Sequence, residues 1–128
     1  MILTTDIANI LYKDCQRFGL KVYKKGVIPQ GINDERIIIN AGLQQSGTYF
    51  KASFVNVNFV VPNKDSGNAN TKRLNELEHL GATLESSGWL NDFFYRYSPE
   101  SIQVIEDEDL KSYFVNVRLL FEVLNVKK

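Results

Sequence analysis

The residues able to do chemistry are few and scattered. His79 is the only histidine and Cys15 the only cysteine among 128 residues. A Ser-His-Asp relay, a Cys-His pair and a two-histidine metal site therefore each lack parts or need distant partners. His79 falls beside a run of leucines at helical spacing rather than among them, which suits a boundary or solvent-facing imidazole. Cys15 lies near Leu11 and Phe18, where a lone cysteine behaves as a small apolar side chain. Glu106-Asp107-Glu108-Asp109 offers carboxylate oxygens to a hard cation, yet it lacks the alternating spacing and glycine of a calcium loop. It reads as a solvated turn. The pairs Gly26 and Gly31, and Gly42 and Gly47, match neither the dinucleotide fingerprint nor the P-loop. No catalytic, cofactor-binding or metal-binding residue is assigned, no cofactor is expected, and the chain is read as a non-enzyme.

Charge is balanced, with 15 basic and 15 acidic side chains. That argues against a general nucleic-acid binder, whose affinity comes largely from neutralising phosphates. The nearest thing to a basic patch is Lys13, Arg17, Lys21, Lys24 and Lys25, offset locally by Asp14 alone, with Tyr12 and Tyr23 as its only aromatic platforms. The acidic stretch lies far away in the chain, at 100–109. Separated patches of opposite sign suit a head-to-tail contact between copies, which closes into rings or grows into filaments. Simple solvation of both patches is the plain alternative.

Length and composition bound the rest. Hydrophobic residues make up 44% and charged residues 23%, ordinary values for a soluble globular chain. The length suits one domain, 1–128, with enough core to fold without disulfides. No apolar run approaches the ~20 residues of a membrane span. The start, Met1 to Asp6, lacks the basic and apolar stretches of a signal peptide, so an intracellular protein with no membrane partner is expected.

The elements follow from periodicity. Ile7, Ile10, Leu11 and Phe18 recur at helical spacing, which predicts a helix over 4–17 with Gly19 as its stop. Leu20 to Lys25 reads as a short strand, and Arg36 to Asn40 as a strand of β-branched residues. The segment 41–52 is a loop or a hairpin arm. Ser53 to Val61 reads as a strand, with Val55, Val57, Phe59 and Val61 on one face and Asn56 and Asn58 on the other, and Pro62 ends it. A polar loop at 63–70 leads to a second helix, capped by Asn70 or Thr71, with Leu74, Leu77, Leu80 and Leu84 as its stripe and Gly88 just beyond its end. Asp92 to Tyr97 is an aromatic strand, Ser98-Pro99-Glu100 a tight connection, Ser101 to Ile105 a further strand, and Tyr113 to Val126 the last. Phe114-Val115-Asn116-Val117 repeats Phe54-Val55-Asn56-Val57 letter for letter, so the two strands present similar faces and suit central pairing in one sheet. The order helix, three strands, helix, three strands predicts an α+β two-layer domain. Its sheet is mostly antiparallel or mixed, of about five to six strands, with two main helices on one face.

The order of these motifs resembles the tail terminator (tail completion) proteins of long-tailed bacteriophages and prophages. The likeness rests on the amphipathic helix Ile7 to Arg17, the connection Val27-Ile28-Pro29 and the segment Asp34-Glu35-Arg36-Ile37-Ile38-Ile39-Asn40. It continues through Val55-Asn56-Val57-Asn58-Phe59-Val60-Val61-Pro62, the helix start Asn70-Thr71-Lys72-Arg73-Leu74, and Tyr113-Phe114-Val115-Asn116-Val117-Arg118. It spans nearly the whole chain and contains no catalytic motif. The resemblance implies a virion protein, assembled in the host cytoplasm, that forms a ring, commonly a hexamer, at the head-proximal end of the tail tube. Its partners would be itself, the tail tube protein and the head-tail connector, with DNA met only as it passes through the ring lumen. No interface residue carries over from the family.

The loops 41–52 and 63–70 are the candidate contact segments, since loops on a rigid scaffold often carry function. The interface residues expected on this basis are Tyr49 and Phe50 as apolar anchors, Lys64, Asp65 and Asn68 in the second loop, and Lys24, Lys25, Asp107 and Glu108 in the charged patches. Two other classes stay open. A pocket between sheet and helix, examined at Trp89, Tyr95, Tyr97 and His79, would make this a ligand-binding or enzymatic domain. An uncovered edge strand on a monomer would make it an adaptor for one protein partner.

Overall fold

The computed structural model describes residues 4–29, 31–41 and 50–124. Helix α1 (Thr4–Asp14) buries Ile7 and Leu11, and its chain tightens into a 3-10 turn over Cys15–Phe18. Gly19 ends that turn with φ +76, a conformation that costs glycine nothing and lets its N–H reach the Gln16 carbonyl at 3.2 Å. Strands β1 (Lys21–Lys24), β2 (Arg36–Ala41) and β3 (Phe50–Pro62) follow. Residues 50–52, expected in a loop or hairpin arm, are thus the start of β3.

Helix α2 (Thr71–Gly81) is capped by Asn70, whose side chain accepts from the Arg73 N–H at 3.4 Å. Leu74 and Leu77 are buried, whereas Leu80 sits at the surface. The helix stops well before Gly88. Its stripe continues past the end because Leu84 is buried from a following turn, closed by Thr83 N–H to Leu80 O and Leu84 N–H to Gly81 O. Gly88 belongs instead to β4 (Ser86–Leu90), opposite Tyr95. A side-chain carbon there would meet the Tyr95 hydroxyl at 2.7 Å, so the glycine leaves room for the tyrosine ring.

Strand β5 (Phe93–Asp107) and strand β6 (Ser112–Leu124) are both long. Ser98-Pro99-Glu100, expected as a connection between two strands, lies inside β5, where the register shifts between Pro99 and Ser101. A bulge accommodates the proline, and the strand runs on without a turn. The acidic run, expected as a turn, divides: Glu106 and Asp107 end β5, and Glu108 and Asp109 open the turn into β6.

Among the described residues the sheet has six strands in the order β1-β2-β3-β6-β5-β4, of which only β1 and β2 are parallel neighbours. The two Phe-Val-Asn-Val strands are its central antiparallel pair, with Val57 opposite Val117 and Asn58 opposite Asn116. Val55, Val57, Phe59, Val115, Val117, Leu119 and Phe121 are buried on one face. Both helices cover that face. Phe18, after α1, meets Phe59 edge-on at 5.4 Å, and a side-chain carbon at Gly81 of α2 would lie 2.6 Å from Val117 Cγ2. The architecture is therefore the α+β two-layer domain that the periodicity predicts.

Candidate functional site

The sheet presents two edges of different chemistry. At one end lies β1, paired among the described residues only with β2. At the other, β4 covers β5 only over Phe93 to Tyr97. From Ser98 to Asp107 the outer side of β5 has no strand partner among the described residues, although its inner side pairs with β6 to the end. Four strand spacings, about 19 Å, separate β1 from β5.

The β1 edge is apolar with a cationic rim. A groove of 550 Å³ is lined by Tyr12, Val22, Tyr23, Lys24, Val27 and Pro29. Val27 is 70% exposed. A second groove of 330 Å³ shares Lys24 and Val27 and adds Lys25. Lys24 donates to Asn9 Oδ1 and lies 5.2 Å over the Tyr12 ring, so it holds α1 against the strand. Arg17 is engaged elsewhere, donating to the Thr83 carbonyl at 2.8 Å. Lys21 and Lys25 are exposed at either end of the edge. Lys21, Lys24 and Lys25 therefore rim an apolar groove, whereas Lys13 lines a cleft between α1 and the β4–β5 hairpin and Arg17 is held by Thr83.

The free β5 edge mirrors it with opposite charge. Val104 is 40% exposed and Leu110, in the hairpin turn, 62%. Around them stand Glu100, Glu106, Asp107, Glu108 and Asp109. Asp107 accepts from the Leu110 N–H at 3.2 Å and shapes the turn, and Glu108 is exposed. No group of three metal-ligating side chains is placed to hold an ion among the described residues.

The second loop adjoins this acidic end, since the Asn63 N–H donates to the Lys111 carbonyl at 3.0 Å. Lys64, Asp65 and Asn68 are exposed on it, and Lys64 N–H to Asn68 O closes the loop at 2.9 Å. Tyr49 lies outside the described residues, and of Phe50 only its place at the start of β3 is described. The structure thus groups Lys64, Asp65 and Asn68 with Asp107 and Glu108 at one end, and sets Lys24 and Lys25 at the opposite edge.

The pocket expectation divides. A cleft of 360 Å³ between α1 and the β4–β5 hairpin is lined by Asp6, Asn9, Ile10, Lys13, Asp14, Trp89, Leu90 and Tyr95. Tyr97 lies next to it and donates to Asp14 Oδ2 at 2.6 Å. Burial and then this hydrogen bond hold the Tyr97 hydroxyl well above its ordinary pKa, and burial likewise raises Tyr95. His79 does not line that cleft and is exposed on α2. Burial, and after it the Asp14 charge, pushes the Cys15 thiol up to about 12, which makes it inert rather than nucleophilic.

The face away from the helices carries polar amides at its centre. Asn116 Nδ2 donates to Asn58 Oδ1 at 2.7 Å and to Asn56 Oδ1 at 3.2 Å. Arg118 stacks 3.8 Å over Phe54 and pairs with Glu100 at 3.4 Å. These side chains satisfy one another across β3, β6 and β5.

Sequence reasoning located both charged patches but missed the apolar surface inside each. Ile102, Val104 and Ile105 between acidic residues were the available signal for the β5 edge. Nothing in the sequence revealed that β4 would stop short of them.

No family model matches the chain, and comparison with curated proteins and with solved structures finds none similar to it. No helix among the described residues is long and apolar enough to cross a membrane.

Proposed function

We propose that this chain is a structural assembly protein that closes into a ring and caps a phage tail tube, ending tube growth and offering the surface that joins tail to head. One observation carries the reading. A basic, apolar edge and an acidic, apolar edge lie on opposite sides of one sheet and do not overlap. Two complementary, separate surfaces on one chain are what a heterologous contact needs, and such contacts form rings when the rotation closes. The order of motifs along the chain, which resembles that of tail terminators, says which ring-forming class to test.

The test is a capping assay. Added to polymerising tail tube protein, the chain is expected to bind one tube end and shorten the length distribution in proportion to its concentration. Tubes that grow as long with it as without it would overturn the reading.

The cleft beside Trp89, Tyr95 and Asp14 supports a second reading, a small-molecule-binding domain. Mass spectrometry of ligands released from denatured protein separates the two, because a metabolite recovered in stoichiometric amount belongs only to the second.

A further inference from the structure

We infer that neighbouring copies join by strand addition, the β1 edge of one copy pairing with the free segment of β5, residues 101–107, of the next. The inference rests on the ring reading and specifies the contact that would build it.

Three observations converge on the second copy as the occupant. The first is backbone supply. The outer side of β5 beyond Tyr97 and the outer side of β1 both present main-chain groups with no strand partner among the described residues. Such edges pair readily with another chain. A strand arriving there would run in line with β4, occupying the row beside β5 on the N-terminal side of Ser86, where β4 begins.

Direction is the second. β1 runs parallel to β2, and β2, β3, β6 and β5 alternate. β5 is therefore antiparallel to β1. Two copies held in the same orientation would pair these edges antiparallel and extend one continuous sheet, with the helices of both on the same side.

The third is complementarity. Antiparallel pairing brings Lys21, at the start of β1, to the end of β5 at Glu106, Asp107 and Glu108. It brings Lys25, past the end of β1, toward Glu100 at the bulge. Between these charges, Ile102 and Val104 face the side on which Val22 and the Tyr12–Val27 groove lie. Opposite charges outside and apolar groups inside make the usual rim and core of an interface. Like edges repel: two β1 edges would set lysine against lysine, and two β5 edges acid against acid. The contact is thereby restricted to head-to-tail.

Light scattering on four proteins, with circular dichroism to verify folding, tests the pairing. Wild type is expected to self-associate with concentration. K21E/K25E and E106K/E108K are each expected to self-associate at least about a hundredfold more weakly, since each sets like charges together. Their equimolar mixture is expected to recover assembly, because each then meets its complement. K72E, a reversal on the exposed side of α2 away from both edges, is expected to match wild type. Hydrogen exchange supplies the main-chain readout, with slower exchange at 21–25 and 101–107 in the wild-type assembly than in K21E/K25E. A ring that survives both edge reversals, or exchange unchanged at these segments, overturns the pairing and leaves tube capping standing. Open filaments built through these edges support the pairing and count against the cap. A wild type that stays monomeric up to about 1 mM overturns the pairing, since no edge contact of useful strength would exist.

Discussion

Replacing Tyr97 with phenylalanine tests how the first helix is held to the sheet, and so how the groove beside β1 keeps its wall. The Tyr97 ring is buried and stacks on Phe121 at 5.7 Å, while its hydroxyl donates to Asp14 at 2.6 Å. Phenylalanine keeps the ring and its stack and removes one hydrogen bond to a carboxylate. Bonds to charged groups contribute about 1.5–3 kcal/mol. Asp14 is only half-buried, so water compensates part of the loss, and about 2 kcal/mol is expected at pH 7. For a domain of this size that lowers Tm by roughly 8 °C. The pH dependence has a definite sign. Burial and the Asp14 bond raise the Tyr97 hydroxyl above its ordinary value of 10.0. Below that value the phenol is protonated in both folded and unfolded chains, and its contribution is complete. Above it the unfolded chain gives up the proton first, so wild type loses stability that the phenylalanine variant never had. Cys15, Tyr95 and Tyr113 are common to both proteins, so their raised values contribute to both curves alike. Urea unfolding followed by far-ultraviolet circular dichroism should show a constant gap from about pH 7 to 9 that narrows above 10. A gap under about 0.5 kcal/mol at pH 7, or one that stays constant through about pH 11, would refute the reasoning.

Two further substitutions probe the packing. Gly81→Ala adds a carbon 2.6 Å from Val117 Cγ2, so overpacking outweighs the gain in helix propensity and about 1 kcal/mol of stability is lost. In a Val117→Ala background the same change should stabilise, because the new methyl fills the space vacated; urea titration of the four proteins checks the reversal, and a stabilising Gly81→Ala in wild type would contradict it. Cys15, with its thiol pushed up to about 12, should resist a thiol reagent at about pH 8 in the folded protein and react at once in urea. The stability linked to that thiol is complete below its ordinary value of 9.0 and is lost as pH rises toward 12, an interval corresponding to about 4 kcal/mol. Cys15→Ala should flatten that alkaline decline, and an equally steep decline in the variant would contradict the burial.

Much of the fold is legible in periodicity alone. Val55, Val57, Phe59 and Val61 announce a strand with one buried face because alternate side chains point to opposite sides, whatever lies next to them. Ile7 and Leu11 announce a helix for the equivalent reason, and Asn70 and Gly19 mark ends through hydrogen bonds and backbone angles confined to a few residues. Signals of this kind fail where their outcome depends on neighbours distant in the chain. Pro99 reads as a break because it cannot donate to a ladder, yet β5 continues through it. β4 reaches only as far as Ser86, opposite Tyr97, so no strand among the described residues lies on the outer side at Pro99 to require a donor. Gly88 reads as a helix stop, but its role is to admit the Tyr95 ring across a hairpin that the sequence does not declare.

The candidate site divides along the same line. The sequence by itself determined which residues carry charge, that the basic and acidic stretches are separate, and that the Phe-Val-Asn-Val strands share a face. These are properties of composition and short-range spacing. Only the tertiary structure decided that Lys21, Lys24 and Lys25 rim one edge of the sheet, that the acidic stretch rims a length of β5 with no outer strand partner among the described residues about 19 Å away, and that each contains an apolar surface. Strand order and unequal strand lengths set those outcomes. Both arise from long-range pairing, in which a register is chosen by the burial of a whole face and not by any residue's local preference.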